Sequence, residues 1–386
     1  MTPGARVAAA ISILDDIRDG QPAEQALTTW ARNSRFAGSK DRAAVRDHVF
    51  DVLRAKLSLG NGTGRALLAA LLRRDGLDVD AFFAGEGHAP APLSDAEREV
   101  LVKPASLTQA QECDVPEWLW DLWQSSLGTE AEAAAIAQQL RAHVYLRVNR
   151  RRATVDMAKK LLAGDSISTV PHPTVEGCLR VTENARRVKN SRAYQDGLIE
   201  LQDAASQFAV REVPVNDGAR VLDYCAGGGG KALAFADIYD AQVFAHDIAP
   251  QRMKDIPERA ARAGVTIETL STQSLMGVGP FDVVFCDAPC SGSGTWRRTP
   301  DAKWRLTSEE LDRLTQMQRD VIESAAPLVA VGGALVYATC SVLDVENSKI
   351  VEAFCANHPD WQSALGHQLI PGPNNDGFYL NLLRKT

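Results

Sequence analysis

The sequence contains no run of about 18 or more apolar residues, the length that a membrane-spanning helix needs. Its first residues also lack the charged and apolar regions of a signal peptide. Its 7 cysteines are an odd number with no Cys-x-x-Cys pair, which argues against both a disulfide framework and a zinc site. We therefore expect a protein of the reducing cytoplasm, with neither a membrane nor a metal ion among its partners.

Positive charge is in deficit, because the formal net charge is −7, and this by itself argues against nucleic acid as a partner. The charge is unevenly spread, however, and an acidic protein with local basic patches can still bind a phosphate backbone. Each patch taken alone fits the solvated face of a helix nearly as well. The basic clusters are Arg147, Arg150, Arg151, Arg152, Lys159 and Lys160; Arg180, Arg186, Arg187, Lys189 and Arg192; and Arg297, Arg298, Lys303 and Arg305.

The 386 residues are enough for two or three domains, and the first of these is predicted to be helical. Residues 1–105 show helical periodicity and no strand pattern. Arg42–Leu57 places its valines and leucines on one face behind a predicted N-cap at Ser39, and Arg65–Arg74 repeats the spacing. We predict an all-α domain with no evident chemistry of its own.

Residues 106–205 are predicted to form a small α+β subdomain. The three tryptophans of Pro116–Trp123 are candidates for base stacking, but the apolar helix face on which they lie favours packing. Val144–Asn149 alternates like a strand, Thr154–Leu162 is typical of a helix, and strand-like pieces follow near 166–170 and 179–182. An appendage of this size edged with arginine suits a surface that binds RNA.

In residues 206–386 strands alternate with helices, which predicts an α/β domain with a doubly wound parallel sheet. A capping box at Thr307 begins a long helix towards Val329. The predicted strands are Ala219–Tyr224, Ala241–Ile248, Thr266–Leu270, a buried strand from Phe281, Ala334–Ser341 and Phe378–Leu383; the other predicted helices are Lys231–Tyr239 and Gln251–Ala263.

A glycine-rich turn from Cys225 to Gly230 follows the first predicted strand of this domain. Glycines there let a ligand approach the backbone closely, beside a helix N-terminus that favours negative charge. Asp247, about twenty residues further on, is placed to bind ribose hydroxyls. These features predict a ligand that contains a nucleoside, but they do not distinguish a dinucleotide from S-adenosylmethionine.

Two cysteines follow consecutive long strands. Cys290 lies just after the strand that begins at Phe281, and Cys340 ends the next strand. In open α/β sheets ligands bind outside the carboxyl ends of the strands. If the two strands are neighbours, about 4.8 Å apart, both thiols face one pocket beside the nucleoside. The alternative is a pair of buried structural cysteines.

A pair of thiols decides between the candidate ligands, because hydride transfer needs no such pair. Carbon 5 of a pyrimidine is a poor nucleophile, and a thiolate that adds to carbon 6 makes an enamine whose carbon 5 attacks a sulfonium methyl group. Asp287 is placed to hydrogen-bond N3 and N4 of the base. A base must then remove the carbon 5 proton so that the thiol can leave, and the second cysteine is a candidate for that step.

These residues carry a resemblance to a known family. Asp287-Ala288-Pro289-Cys290-Ser291-Gly292-Ser293-Gly294 and Thr339-Cys340-Ser341 match the Sun-type (Nop/Sun) RNA cytosine-5 methyltransferases, with support from Gln202–Gln207, Asp376–Tyr379 and Leu146–Asn149. The resemblance covers roughly Pro116 to the end. Gly38–Ala43 looks more weakly like the antitermination-factor-type (NusB-like) domain of the bacterial small-subunit rRNA member.

The resemblance implies a Rossmann-like class I methyltransferase domain in residues 206–386, a small α+β RNA-binding subdomain in 106–205 and a NusB-like domain in 1–105. It implies that Cys340 is the nucleophile, that Cys290 assists product release and that Asp287 bridges cofactor and base. The residues predicted to hold S-adenosylmethionine are Cys225, Ala226, Gly227, Gly228, Gly229, Gly230, Lys231, Asp247, Arg252 and Asp287.

The sequence departs from the family pattern in two places. The family usually reads Cys-Ala-Ala-Pro-Gly-Gly-Lys-Thr where this chain has Cys225–Ala232 with four consecutive glycines. The loss of the proline makes the free loop more flexible, so we predict weaker cofactor binding than in members with the proline, and a gain in affinity for Gly228→Pro. The family also tends to carry an acid after the third strand, where this chain has Ser271–Ser274, so the adenine contact is left to a hydroxyl, an amide or the backbone.

The leading hypothesis is an RNA methyltransferase that makes 5-methylcytidine, with 16S rRNA as the leading substrate. The target cytidine must be unpaired or flipped to meet the thiol. Trp296 and Trp304, with the third basic cluster, are predicted to hold the flanking nucleotides. The alternatives are the same chemistry on tRNA, a non-catalytic RNA-binding ribosome assembly factor, and an NAD-linked oxidoreductase, which the paired thiols disfavour.

Overall fold

The computed structural model describes residues 1–102 and 106–385. The chain forms two compact units, of which the first is Met1–Arg141 together with Trp296–Leu306, and the second is Ala142–Thr295 together with Thr307–Thr386. The domain boundary predicted at residue 105 lies outside the described residues. The three-domain division stays a prediction.

The described part of the first unit is entirely helical, as the periodicity predicts. Val45, Val49 and Leu68 are completely buried in its core. The predicted N-cap was wrong by one residue, because the helix begins at Ser39 and Gly38 is its cap, with the Gly38 N–H donating to Asp41. The helices are α1 (Pro3–Arg18), α2 (Ala23–Asn33), α3 (Ser39–Arg54), α4 (Gly64–Arg74), α5 (Val79–Phe82), α6 (Asp95–Val102), α7 (Gln109–Glu112), α8 (Glu117–Leu127), α9 (Ala131–Gln139) and, from the later segment, α16 (Pro300–Arg305).

The tryptophans of α8 pack rather than stack on a ligand. Trp123 is fully buried and donates its indole N–H to the Ala131 carbonyl at 2.8 Å, and Trp120 is 9% exposed. Trp118 is 44% exposed. The packing interpretation is therefore confirmed for two of the three.

The second unit contains a small antiparallel sheet with the strand order β2-β3-β1-β4. Its hydrophobic core includes Leu146, Leu179 and Leu162, all fully buried. The pattern did not predict β4, which is only three residues long. The elements are β1 (Val144–Val148), α10 (Val155–Gly164), β2 (Thr169–Pro171), β3 (Cys178–Val181), α11 (Arg192–Gln195) and β4 (Ile199–Leu201).

The larger sheet of this unit has seven strands in the order β10-β11-β9-β8-β5-β6-β7. Strands β5 to β9 pair in parallel, whereas β11 runs antiparallel to β9 and β10. The elements are α12 (Ala204–Arg211), β5 (Arg220–Asp223), α13 (Gly230–Ile238), β6 (Gln242–His246), α14 (Ile256–Ala263), β7 (Ile267–Leu270), α15 (Leu275–Val278), β8 (Phe281–Asp287), α17 (Ser308–Ala325), β9 (Val329–Thr339), α18 (Ser348–Asn357), β10 (Trp361–Leu369) and β11 (Phe378–Lys385).

The α/β prediction is confirmed, and the strand order places the predicted chemistry. β8 and β9 are parallel neighbours, with Asp287 paired to Ala338, so their carboxyl ends lie side by side. β10 was not predicted, because most of its residues are exposed and carry no continuous apolar face. Among the described helices, none combines the length and the hydropathy of a membrane span.

Candidate active site

A cavity of 590 Å³ opens at the carboxyl ends of β5, β6, β8 and β9. It lies where the topology of an open α/β sheet predicts a ligand. Of the residues predicted for the site, only Gly229 does not line it. The predicted residues that line it are Cys225, Ala226, Gly227, Gly228, Gly230, Lys231, Asp247, Arg252, Asp287, Cys290 and Cys340.

The two cysteines meet at the edge of this cavity. The Sγ atoms of Cys290 and Cys340 lie 3.3 Å apart, within hydrogen-bond distance for sulfur. The hydrogen bond from Cys290 lowers the pKa of Cys340, and the positive charge of Lys231 acts in the same direction, while burial opposes both. The same hydrogen bond, together with burial, raises the pKa of Cys290 well above its usual value. The arrangement therefore favours a thiolate at Cys340 beside a protonated Cys290.

A buried ion pair lies next to the thiols. The Lys231 ammonium donates to Asp287 Oδ2 at 2.5 Å, and the lysine side chain is 12% exposed. Burial by itself would lower the pKa of Lys231, but the attraction and hydrogen bond of Asp287 outweigh it, so the pKa is raised. Asp287, with a side chain 30% exposed, presents its carboxylate to the cavity in a fixed orientation.

Asp247 anchors the glycine turn. Its Oδ2 accepts the Gly227 N–H at 2.9 Å and forms an ion pair with the Arg252 guanidinium at 3.0 Å, and its Oδ1 accepts the Ala249 N–H. Gly227 has a φ of +50° and Gly229 a φ of +78°, both in the left-handed region that favours glycine. A Cβ on Gly229 would approach Ile256 Cγ1 to 2.7 Å, so Gly229 shapes the turn against α14 rather than the cavity.

Asp223, at the end of β5, was not predicted as a site residue. It is 1% exposed, its Oδ2 accepts the Ala232 N–H at 2.9 Å, and its Oδ1 has no partner among the described residues. Burial raises its pKa to about 7, against the lowering effect of Lys231. The signal was present in the sequence, because Asp223 stands at the end of the first predicted strand, two residues before the glycine turn, and ligands bind at the carboxyl ends of such strands.

One face of α17 forms a wall of the cavity that the sequence pattern did not lead us to expect. Met317, Asp320, Val321 and Ser324 line the cavity and recur at helical spacing, which is the signal that could have found them. Three more lining residues lie at the ends of β5 and β6: Tyr224, His246 and Ile248.

The segment after the third strand of the parallel set does not line the cavity. In Ser271–Ser274 the Thr272 hydroxyl lies 2.9 Å from His246 Nε2, while Tyr224 O lies 2.8 Å from His246 Nδ1. Burial lowers the pKa of His246, which favours a neutral ring. Thr272 therefore holds the His246 ring in the cavity wall without lining the cavity itself. The exposed side chain of Ile248, next to Asp247, gives the cavity an apolar surface in place of an acid after the third strand.

Three of the six residues predicted to contact RNA at Trp296–Arg305 are buried, so the prediction was wrong for Trp296, Arg297 and Lys303. Trp296 is 1% exposed and stacks on Trp123, with ring centroids 5.7 Å apart. Arg297 and Lys303 are 2% and 3% exposed, and the Trp304 indole donates to the Leu53 carbonyl. Burial lowers the pKa of Lys303 to about 8 despite the attraction of Asp114. The segment is part of the core of the first unit, because aromatic packing and buried polar contacts outweigh the solvation of these cations.

Arg147, from the first basic cluster, is also buried. It is 1% exposed, and its guanidinium pairs with Asp237 at 2.8 Å and contacts the Gln202 side chain at 2.5 Å. It holds β1 to α13 and is not available to RNA. The neighbouring Arg150 and Arg151 remain exposed.

An arginine-lined groove of 430 Å³ lies in the first unit, between α2 and α3. Arg46 in this groove is paired with Glu24, whereas Arg32 and Arg35 form no ion pair with any described residue and are exposed. The adjacent Phe36 is 76% exposed. The groove is lined by Leu27, Thr28, Trp30, Ala31, Arg32, Arg35, Arg42 and Arg46.

Two family models match the chain. The one described as 16S rRNA methyltransferase RsmB/F matches residues 212–384, which contain both thiols and most of the residues that line the cavity. The one described as Methyltr_RsmF/B-like, ferredoxin-like domain matches residues 115–188, which contain three strands of the small antiparallel sheet.

Similar curated proteins include two named ribosomal RNA small subunit methyltransferase B. The chain is 32% identical to that of Klebsiella pneumoniae over 284 residues and 33% identical to that of Citrobacter koseri over 285 residues. Each alignment covers 70% of this chain and 66% of the relative. The chain thus spans just under two thirds of the length of these relatives.

Similar folds occur in solved structures. PH0851 superposes with a TM-score of 0.75 at 22% identity, covering 100% of this chain and 99% of that one. NSun6 from Pyrococcus horikoshii, solved with SFG, superposes with a TM-score of 0.60 at 16% identity, covering 70% of this chain and 98% of that one. At these identities the similarity concerns the fold.

Proposed function

Because the chain belongs to the RsmB/F family of 16S rRNA methyltransferases, we propose that it transfers a methyl group from S-adenosylmethionine to carbon 5 of a cytidine in RNA. The observation that carries the proposal is the separation of 3.3 Å between the sulfurs of Cys290 and Cys340 beside a cavity for the cofactor. We propose that this RNA is 16S rRNA, and that tRNA is the alternative substrate.

The cavity suits a positively charged nucleoside cofactor. Four of its lining residues are aspartates, namely Asp223, Asp247, Asp287 and Asp320, against the cations Lys231 and Arg252. The unpartnered Oδ1 of Asp223 adds a buried acceptor. The glycine turn from Cys225 to Gly230 and the carboxylate of Asp247 would hold the nucleoside and amino acid portions. When bound, S-adenosylmethionine supplies an electrophilic methyl group at its sulfonium centre.

Cys340 is proposed as the nucleophile. Its thiolate adds to carbon 6 of the cytosine, forming an S–C6 bond and moving the electron pair of the C5–C6 double bond to carbon 5. Asp287, held by Lys231, is proposed to orient the base for this addition by accepting a hydrogen bond from the N4 amino group, and from N3 once N3 is protonated. The adduct gives carbon 5 the nucleophilicity that free cytosine lacks.

Cys290 is proposed to complete the cycle. After carbon 5 has been methylated, solvent water takes its remaining proton, the pair of electrons from that C–H bond restores the C5–C6 double bond, and the Cys340 sulfur leaves as a thiolate that the protonated Cys290 stabilises by donating a hydrogen bond. Cys290 lies close enough to Cys340 to assist this elimination. Its raised pKa keeps it protonated while Cys340 attacks.

The arginine-lined groove of the first unit is proposed to bind the phosphate backbone of the RNA. Arg32 and Arg35 are exposed beside Trp30, and guanidinium groups bind phosphate in a bidentate manner. We propose this contact in place of the one expected at Trp296–Arg305, where two of the four cations, Arg297 and Lys303, are buried.

The test is to trap the covalent intermediate. Cys290→Ala is incubated with S-adenosylmethionine and a transcript of 16S rRNA or tRNA, and protein–RNA adducts that survive denaturation are measured. We expect an adduct with 16S rRNA that disappears in Cys290→Ala/Cys340→Ala, and bisulfite sequencing then identifies the nucleotide. Methylation by Cys340→Ala alone would overturn the assigned roles, and RNA binding without methylation by the unmodified protein would favour an assembly factor.

A further inference from the structure

The two loops that carry the cysteines share a buried carboxylate. Glu346, in the turn between β9 and α18, is 0% exposed. Its Oε1 accepts the Ser291 N–H at 2.8 Å, and its Oε2 accepts the Ser291 hydroxyl at 2.5 Å. The same Oε2 accepts the Ser341 hydroxyl at 2.5 Å. Ser291 directly follows Cys290, and Ser341 directly follows Cys340.

Two further contacts tie Glu346 to the framework of the site. Its Oε1 accepts the Gln318 amide N–H at 3.0 Å, and that amide also donates to the Pro289 carbonyl at 2.9 Å. Its backbone carbonyl accepts the Tyr337 hydroxyl at 2.6 Å. Gln318 lies on α17 and Tyr337 on β9, so the carboxylate is held between two regular elements and not on a free loop.

The donors around the carboxylate are neutral, and in the described part of the chain no lysine, arginine or histidine forms an ion pair with Glu346. Burying a carboxylate destabilises the folded protein unless the carboxylate is hydrogen-bonded. Glu346 can be buried here because both of its oxygens accept hydrogen bonds. A carboxylate is the one side-chain group of this size that accepts on both oxygens and donates on neither. Its chemistry therefore matches a site that faces donors from two loops at once.

We propose that Glu346 is a positioning residue that holds the Cys290 and Cys340 loops in register, so that the two thiols remain in contact. The chemical meaning of this inference rests on the proposed function, in which Cys290 must stay within reach of the Cys340 adduct. A misplacement of about 1 Å is enough to cost on the order of 100-fold in rate in an active site. Glu346 touches neither thiol and positions their loops through Ser291 and Ser341.

The pKa of Cys290 supports the same arrangement. The hydrogen bond to Cys340 and burial are the main causes that raise it, and the negative charge of Glu346 raises it further. The loop contacts do not depend on Glu346 alone, because the Gly294 N–H donates to the Cys340 carbonyl at 2.9 Å and the Ser293 hydroxyl lies 2.8 Å from that of Ser341. A variant at Glu346 is therefore expected to fold.

The first test measures the proximity of the thiols without RNA. Diamide takes two electrons and two protons from a pair of thiols, and the rate at which the Cys290–Cys340 disulfide forms, followed by mass spectrometry, reports how often the sulfurs meet. For Glu346→Ala we expect this rate to fall by about tenfold, because the loops lose their common acceptor. Glu352→Ala, at an exposed glutamate on α18, is the matched control and should leave the rate unchanged.

The second test separates positioning from general stability. Glu346→Ala should lower kcat for RNA methylation by about tenfold or more, with the KM for RNA and the affinity for a non-reactive cofactor analogue within about twofold of the original. A disulfide rate equal to that of the unmodified protein would overturn the inference. So would a parallel loss of cofactor affinity, which indicates general collapse of the site.

A milder variant guards against misfolding. Glu346→Gln keeps the shape of the side chain but supplies one acceptor oxygen in place of two. The rate of disulfide formation should therefore fall, but less than in Glu346→Ala. A rate equal to that of the unmodified protein would contradict the inference. Because this readout needs no RNA, it is separate from the proposed function. If the thiols respond to Glu346 but Cys340→Ala still methylates, the positioning role stands and the covalent mechanism fails.

Discussion

At the scale of the residue, the site is organised by what each charged group touches. The hydrogen bond from Cys290 and the positive charge of Lys231 both lower the pKa of Cys340, and the ammonium of Lys231 is in turn paired with Asp287. Asp223 contributes a carboxylate whose pKa is raised by burial. Among the described residues, the other five cysteines form no thiol–thiol hydrogen bond, so composition alone does not identify the reactive pair.

The reactivity of Cys340 gives the first prediction. Because the hydrogen bond from Cys290 lowers the pKa of Cys340, Cys290→Ala should raise that pKa and slow the alkylation of Cys340 several-fold near neutral pH. Iodoacetamide labelling at a series of pH values, read by mass spectrometry, measures the apparent pKa. Cys355→Ala, at a cysteine that lies outside the cavity, is the control. An unchanged apparent pKa in Cys290→Ala would refute the assigned direction.

A second prediction concerns the pH dependence of stability at Asp223. Its pKa is raised from 3.8 to about 7, chiefly by burial, so the folded protein holds this proton more tightly than the unfolded chain. The stabilisation from this proton is complete when the pH is below the pKa of Asp223 in the unfolded chain. It is lost as the pH rises through the pKa of Asp223 in the folded protein. Each pKa unit corresponds to about 1.4 kcal/mol in the free energy of unfolding.

Asp223→Asn removes this titration. We therefore expect that raising the pH from about 5 to about 8 lowers the free energy of unfolding of the unmodified protein relative to that of the variant. Urea unfolding followed by circular dichroism at both pH values measures it. Lys231, Asp287 and Asp247 surround this carboxyl and are unchanged in the variant. The same difference at both pH values would show that Asp223 does not titrate in this range.

At the scale of the element, the glycine turn and the Trp296–Leu306 segment determine local geometry. Gly227 at φ +50° precedes the position where the family has a proline, and a proline disfavours helical conformations in the residue before it. Gly228→Pro alone is therefore a poor test of loop flexibility here, because it forces Gly227 out of its conformation. The predicted weakness of cofactor binding remains a prediction.

Gly229→Ala tests the turn directly. A Cβ at this position would lie 2.7 Å from Ile256 Cγ1, which is too close. In addition, a φ of +78° destabilises the folded state by roughly 1 kcal/mol when the residue is not glycine. We expect at least a several-fold loss of affinity for S-adenosylmethionine in titration calorimetry. Gly164→Ala, where no atom lies within 4 Å of the new Cβ, should leave affinity unchanged. Equal affinity in both variants would refute the role of the turn.

The segment that contains α16 gives a prediction about stability. Trp296 is 1% exposed and stacked on Trp123, so Trp296→Ala should cost about 3–5 kcal/mol in the free energy of unfolding of the first unit. Denaturant unfolding followed by circular dichroism measures this cost. Trp118→Ala, at a side chain that is 44% exposed, should cost far less. If both variants cost the same, Trp296 is not part of the core.

At the scale of the whole molecule, the fold separates the cations that stay exposed from the cations that are buried in a core. The net charge of −7 and the basic clusters gave an ambiguous picture in sequence. The structure buries Arg147, Arg297 and Lys303, and leaves Arg32 and Arg35 exposed in a groove. Packing therefore decides which of these cations are accessible to a partner.

The groove yields a prediction for RNA binding. Arg32→Ala/Arg35→Ala should raise the KM for RNA with little change in kcat, and should reduce the slope of the salt dependence of binding by about one for each phosphate that the variant no longer neutralises. Arg73→Ala/Arg74→Ala changes the net charge equally on another helix of the same unit and is the matched control. An equal effect of both pairs would mean that only net charge matters.

The sequence by itself determined the elements and the chemistry of their ends. Periodicity predicted the helices of residues 1–102, alternation predicted most of the strands from Arg220 onward, and the turn chemistry of Cys225–Gly230 and Asp287–Gly294 marked the candidate site. These features are local, because propensity, periodicity and turn geometry depend on residues close together in the chain.

Only the tertiary structure decided which of these residues meet. The pairing of β8 with β9 brings together two cysteines 50 positions apart, the wall of α17 closes the cavity, and Glu346 joins both cysteine loops. It also decided that Trp296, Arg297 and Lys303 are core residues. The physical reason is that burial and hydrogen bonding between distant segments depend on strand order and packing. No local pattern in the sequence indicates either of these.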